Sequence, residues 1–234
     1  MIHVLRRSKP NRTWPLDAVP RVNWASPQSR GLAAWWPLSW CTGNVAPEVF
    51  KAGHGTAAQL EWHADGTFGT TPWFNGSREV VFSDRHLPAG ASPRSLCVWV
   101  HFSELPIAGR TWGALFYGST TEDHGMAIGT GYTSRWQPPG CLGVSQWGQE
   151  LVTPRAYNDG AWHHLAATFD GAVWSLYVDG ELENAKRMPT DTKTNTGRIG
   201  SLNFGLTYYW KGFLRDARVY ARALSASEVR LLSD

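Results

Sequence analysis

The stretch 159-DGAWHHLAATFDGAVWSLYVDGEL-182 sets two adjacent histidines behind a tryptophan and between carboxylates. From Trp162 to Asp170 the side chains alternate as a strand requires, with His163, Leu165, Ala167 and Phe169 on one face. Trp162, His164, Ala166, Thr168 and Asp170 take the other face. Asp170-Gly171 and Asp179-Gly180, on either side of "AVWSLYV", are pairs that tolerate positive φ at both central positions of a type I′ hairpin turn. The segment therefore predicts a three-strand meander. Neighbours on a strand point to opposite faces, so His163 and His164 cannot share one metal or one scissile bond. Both are read as scaffold; if either has a functional part it is His164, on the Trp162 face, as a hydrogen-bonding side chain.

Similar strand-like runs occur at "SLCVWVHF" (95–102), "ALFYG" (114–118), "GMAIGTG" (125–131) and "FLRDARVY" (213–220). Several are apolar on both faces, as in a sandwich whose central strands are covered on both sides, or in a curved sheet holding aromatic rings on its concave surface. Twenty-four glycines and fourteen prolines spread over 234 residues fit many strands joined by turns. One helix closes the chain: Ser225 and Glu228 have the spacing of a capping box, and Leu224 can meet Val229 as a hydrophobic staple. The fold class expected is all-β, a two-sheet antiparallel sandwich spanning residues 31–234 with a short C-terminal helix. Residues 1–30, with Pro10, Pro15, Pro20 and Pro27 at near-regular intervals, read as an extended arm.

Charge is distributed unevenly. The formal net charge is +3, yet residues 1–30 carry Arg6, Arg7, Lys9, Arg12, Arg21 and Arg30 against Asp17 alone, so the arm is +5 and the remainder −2. A nearly neutral domain argues against a nucleic-acid surface there, and makes Arg6, Arg7, Lys9, Arg12, Trp14 and Arg21 the candidate residues for docking onto a partner. Cys41, Cys97 and Cys141 cannot all pair within the chain, and none has a C-x-x-C spacing. The first sixteen residues lack the apolar core of a signal peptide, and no run is long and apolar enough to span a bilayer, so a chain made and kept in a cytoplasm is expected. In that setting the sequons at Asn11 and Asn75 carry little meaning.

Catalytic signatures are missing. There is no H-E-x-x-H, no G-x-S-x-G elbow and no Walker loop, and "GTGYTS" supplies only two glycines of a dinucleotide fingerprint. Glu181 and Glu183 form the one close carboxylate pair, beside a hairpin turn, where solvation is the simpler reading than acid and nucleophile. No enzymatic activity is expected. Fourteen tryptophans exceed what a core uses freely, because a buried indole N–H wants a partner. The ligand-contact candidates are aromatic residues in Gly/Pro-rich connections: Tyr132, Trp136, Trp147, Tyr208, Tyr209 and Trp210.

The opening stretch resembles the central signature of laminin-G-like, concanavalin-A-like jelly rolls, in which D-G-x-W-H-H precedes an apolar strand and L-Y-V-D-G. "WFNGSREVVF" with "SLCVWVHF", and "KGFLRDARVYARALSASEVRLL", are similar to two further blocks of that family. The resemblance implies a jelly roll with a concave face. It implies a binding rather than a hydrolytic role, since the E-x-D-x-E strand of the hydrolases on this fold is missing. It also implies a structural calcium at Asp216, set against pairing of Asp216 with Arg218; no other cofactor is expected. "RVNWASPQSRGLAAWW" is similar to the start of laminin-G-like proteins of tailed bacteriophages. That likeness implies a virion component of decoration, fibre or adhesin type, tethered by its arm to a capsid or tail subunit and open to homo-oligomerisation. The alternative is a free lectin for cell-surface glycan, cytoplasmic if not in a virion; a polysaccharide-degrading enzyme ranks last.

Overall fold

The computed structural model describes residues 22–39, 44–50, 53–57, 59–119, 124–146, 148–202 and 208–234. The strands are β1 (Leu32–Trp36), β2 (Val45–Ala46), β3 (Gly55–Ala57), β4 (Glu61–Asp65), β5 (Gly69–Asn75), β6 (Val80–Phe82), β7 (Arg94–His101) and β8 (Arg110–Gly118). They continue as β9 (Gly125–Tyr132), β10 (Cys141–Gln146), β11 (Gln149–Ala156), β12 (Trp162–Phe169), β13 (Val173–Val178), β14 (Glu181–Arg187), β15 (Thr196–Ile199) and β16 (Lys211–Tyr220). One helix, α1 (Ala226–Ser233), follows. All ladders between these strands are antiparallel, and they form two sheets. The first runs β14-β13-β12-β7-β16-β5-β4, with β1 beside the C-terminal half of β16; the second runs β11-β10-β9-β8-β15-β6-β3-β2. The expected all-β sandwich is what the chain forms, and the 162–182 meander sits at one side of the first sheet.

The layer between the sheets is filled by inward positions of both. Leu165, Ala167 and Phe169 of β12 meet Leu96, Val98 and Val100 of β7 and, from the second sheet, Ile128, Leu142 and Val144. The apolar outer face of β7 and β12 has its own cover. Cys97, Ala166, Tyr177 and Tyr220 pack under Leu224, Val229 and Leu232 of α1 and its approach. This explains why β7 reads apolar on both faces. The capping box forms as its spacing predicts: Ser225 Oγ accepts from Glu228 N at 3.3 Å and the Glu228 carboxylate accepts from Ser225 N at 2.9 Å. The Arg222 guanidinium hydrogen-bonded to Glu228 holds its carboxyl down at about 2. Ser225→Ala is expected to lower stability by about 1 kcal/mol, a fall of about 2–4 °C in melting temperature, measurable by calorimetry.

One of the two Asp-Gly turns follows the predicted pattern and the other departs from it. Asp179 (φ 51°) and Gly180 (φ 82°) form the two-residue turn expected of type I′, with Val178 opposite Glu181. At the other Asp-Gly pair only Gly171 (φ 107°) is left-handed, and the expected type I′ turn is replaced by a longer one. There the Asp170 carboxylate accepts from Ala172 N and Val173 N, both at 2.8 Å, so a side chain closes the turn together with the backbone bond from Asp170 N to Val173 O at 3.3 Å. On β16 the register against β7 slips between Arg215 and Arg218, and Asp216 takes φ 54° at that bulge. Of the segment assigned to the arm, residues 22–30 lie against the domain. They form a single 3₁₀ turn at Pro27–Ser29, and Gln28 donates to Leu231 O at 3.1 Å. Arg6, Arg7, Lys9, Arg12, Trp14 and Arg21 lie outside the described residues, as does Cys41; Cys97 and Cys141 are buried free thiols, each pushed up to about 12 by burial.

Candidate ligand-binding site

The paired histidines point apart, as the pleat demands. His163 sits at the rim of the sandwich interior, with Nδ1 2.8 Å from Asp179 Oδ2 and Nε2 3.1 Å from Asp159 Oδ1, and its ring is edge-on to Tyr157. Carboxylate oxygens only accept, so this pair of contacts favours the protonated ring, in which both nitrogens donate. Burial alone would lower its pKa; the bonds to Asp179 and then Asp159 outweigh that and raise it. His163 thereby ties the loop before β12 to the turn after β13. His164, 2% exposed, lies on the outer face against Trp99, with its Nδ1 lacking a partner. Burial brings its pKa down to about 4, so it is a neutral packing residue. The two rings lie on opposite faces of the sheet and do not converge on one point.

The concave feature lies on the outer face of the second sheet. Outward positions of β8, β9 and β10 are bare: Gly113, Gly129 and Gly143 stand directly opposite one another across three strands, with Ala127 and Gly131 on the same face of β9. The connection after β9 lays Trp136 onto this bare strip. A Cβ at Gly131 would come within 2.6 Å of the indole, and one at Gly143 within 3.1 Å of it, so the glycines are what admit the ring. On the other side Leu202 and Tyr208 pack against Phe116 and Ala127. Between these walls is a cleft of about 580 Å³ whose floor and rim offer the hydroxyls of Thr111, Thr133, Ser134 and Ser145. Arg135 and Glu150 face each other across it at 3.8 Å. Arg110 fixes one wall, donating to Tyr208 Oη at 3.2 Å and lying over the phenol ring.

Of the aromatic candidates, Trp136 and Tyr208 are brought together as walls of this cleft. Trp136 is 3% exposed, a supporting wall rather than an open stacking platform. Tyr132 ends β9 opposite Arg110, and Tyr209 is half-buried with its backbone bridged to Gly113; neither lines the cleft. Trp210 is fully buried against Phe102 and Trp112, and a residue sealed in the core does not contact a ligand. Trp147 lies outside the described residues. Glu181 and Glu183 are not a pair acting together: Glu181 bonds Arg230, and Glu183 bonds Arg155 at 2.9 Å. Thr111, Ser145, Arg135 and Glu150 carried no motif. The sequence signal that could have found their face is Gly125-x-Ala127-x-Gly129-x-Gly131, a strand with one side stripped of side chains.

Asp216 does not suit a hard cation. Its Oδ1 and Oδ2 accept from Arg218 at 2.9 and 2.6 Å, and Oδ1 also accepts from Trp35 Nε1. A calcium ion needs about six to eight oxygens. Here the nearest charges are guanidinium groups, and among the described residues no three His, Cys, Asp or Glu side chains converge.

A two-sheet antiparallel sandwich with α1 over one sheet and an open, hydroxyl-lined cleft on the other defines a jelly roll of the concanavalin A-like class. The model of the laminin-G-type family, concanavalin A-like lectin/glucanases superfamily, matches residues 74–230, and the chain belongs to that family. Among solved structures it is similar to domain 4 of AbnA, a GH43 extracellular arabinanase from Geobacillus stearothermophilus, in complex with arabinotriose. That likeness has 21% identity and a TM-score of 0.62, over 87% of this chain and 98% of that one. It is also similar to Trypanosoma rangeli sialidase in complex with 2,3-difluorosialic acid, with 20% identity and a TM-score of 0.63, over 87% of this chain but only 33% of the sialidase. The binding domain of Paraclostridial Mosquitocidal Protein 1 aligns at 16% identity and a TM-score of 0.58, over 76% of this chain and 46% of that one. No curated protein matches the chain. At these identities the likenesses establish the fold.

Proposed function

We propose that the chain is a non-enzymatic carbohydrate-binding module that holds a short oligosaccharide segment in the cleft of the second sheet. The observation that carries this reading is the cleft itself. Its volume of about 580 Å³ suits a small ligand, and it joins an aromatic wall at Tyr208 to hydroxyls and one Arg–Glu pair. Sugars need that mixture, with a ring against C–H faces and polar groups for hydroxyls. Glu150 is the one carboxylate among the described residues lining the cleft, and glycoside hydrolysis requires two across the scissile bond. The arabinanase domain in complex with arabinotriose makes arabino-oligosaccharides the first probe. In titration calorimetry, arabinotriose or a related oligosaccharide is expected to bind, with Tyr208→Ala weakening it about tenfold. Loss of Arg135 in Arg135→Ala is expected to act in the same direction. An unaffected Tyr208→Ala affinity contradicts the placement, and turnover of the saccharide contradicts the non-enzymatic role.

A second reading concerns attachment. The +5 charge of residues 1–30 favours an electrostatic tether to a partner subunit, as in a virion component. Deleting residues 1–21 should then abolish particle association and leave oligosaccharide binding intact.

A further inference from the structure

The outer face of the first sheet carries a file of rings that no role described so far uses. Trp162 of β12 stands opposite His101 of β7, His101 opposite Phe213 of β16, Phe213 opposite Trp73 of β5, and Trp73 opposite Glu61 of the edge strand β4. Five neighbouring strands thus contribute one position each to a straight row about 19 Å long, taking about 4.8 Å per strand. The rings touch in sequence: Trp162 to His101 at 5.4 Å, His101 to Phe213 at 5.4 Å, and Phe213 to Trp73 at 4.8 Å. His63, exposed, closes the row against Trp73 and Phe213. Trp162, His101, Phe213 and Trp73 are each only partly buried. Further along the same face α1 seals Cys97, Ala166 and Tyr220. At the β12 end the turn between β4 and β5 covers Trp162, with Phe68 edge-on to it at 4.9 Å and Asp65 accepting from its Nε1 at 3.1 Å, so the open part of the row is His101, Phe213, Trp73 and His63.

We propose that this row is a second binding surface, on the sheet opposite the cleft, for an uncharged polysaccharide chain lying across the strands. Two observations select that occupant. The row has no aliphatic member, and acceptors flank it: the Glu61 carboxylate at the β4 end, held by Asn75 at 3.3 Å, and Glu104 beside β16, paired with Lys211 at 2.6 Å. Rings for C–H faces with carboxylates for hydroxyls at the margins fit a sugar chain. A standard protein interface takes about 800 Å² per partner, far more than a single row of rings. The surface is independent of the cleft reading, since the two sites lie on opposite sheets.

Native gels of the full chain containing arabinan, galactan, xylan or mixed-linkage glucan test it. Retardation by at least one of them, weakened about tenfold by Trp73→Ala and by His63→Ala but retained in Tyr208→Ala, is the expected result. Retardation by none, or retardation lost only in Tyr208→Ala, overturns the second surface; the latter leaves the cleft reading standing. Concentration-dependent self-association abolished by Trp73→Ala also overturns it, because the occupant is then a second copy. Should Trp73→Ala fail to fold, His63→Ala and the imidazole C–H resonances of His63 and His101 in the unaltered protein separate the same outcomes. Those resonances shift on adding the retarding polysaccharide if the row is the site and stay fixed if it is not.

Discussion

Asp216→Ala is expected to destabilise the protein by about 3–5 kcal/mol, more than any other single change considered. Asp216 is 5% exposed and Arg218 4%, and the two form a bidentate pair against Trp35, with the Arg218 guanidinium over its ring and the Asp216 carboxylate accepting from its Nε1. Burial alone would lower the Arg218 pKa, but Asp216 beside it outweighs burial and keeps the guanidinium charged. Removing the carboxylate therefore strands a buried cation instead of neutralising it. The φ of 54° adds to the loss, because alanine tolerates the left-handed region less well than aspartate does. The melting temperature should fall by about 10 °C. Asp216→Asn, which keeps the acceptor for Trp35 and tolerates the backbone, should lose less. Combining Asp216→Asn with Arg218→Met should recover part of the loss. If Asp216→Ala melts with the unaltered protein, the pair is not what holds β1 to β16.

Acidification from pH 7 to 4 is the second large effect, and the adjacent histidines oppose each other in it. His164 has a folded pKa of about 4, below the ordinary value of 6.5, so the unfolded chain takes up its proton first. Its contribution is complete above pH 6.5 and is lost as pH falls, by about 3 kcal/mol at pH 4. His163 has the opposite sign. Its raised pKa gives stability that is full below 6.5 and is lost as pH rises through the folded value. The carboxyls of Asp159 and Asp179, lowered net of burial by their hydrogen bonds, matter only further towards acid. The larger displacement of His164 decides the balance, so net stability falls with pH in this window. Urea titrations at several pH values should show His164→Gln flattening the acid limb. His163→Gln should flatten the alkaline limb above pH 6.5. A His164→Gln variant as acid-sensitive as the parent contradicts the assignment.

Much of the architecture can be read from local chemistry. Alternation in 162–169 assigns faces, the Asp179-Gly180 turn joins β13 to β14, and Ser225 with Glu228 marks the start of α1; each depends on residues within a few positions of one another. The opposed facing of His163 and His164 is legible for the same reason, since the pleat alone separates them. Asp170-Gly171 fails as a type I′ turn because a nearby side chain offered its own hydrogen bonds, a competition that dipeptide identity does not reveal.

The candidate binding surfaces depend on contacts between distant strands. Trp136 and Tyr208 meet only because β8, β9 and β10 align their bare positions and the segment before β16 returns to that face. Trp210, two residues from Tyr208, falls into the core for the same geometric reason. The row from Trp162 to Glu61 joins residues on five strands, and it exists because β16 inserts between β7 and β5 in one register. A period of two tells each strand which face is inside. Strand order and register, which choose the neighbours on that face, are set by the burial of the whole core.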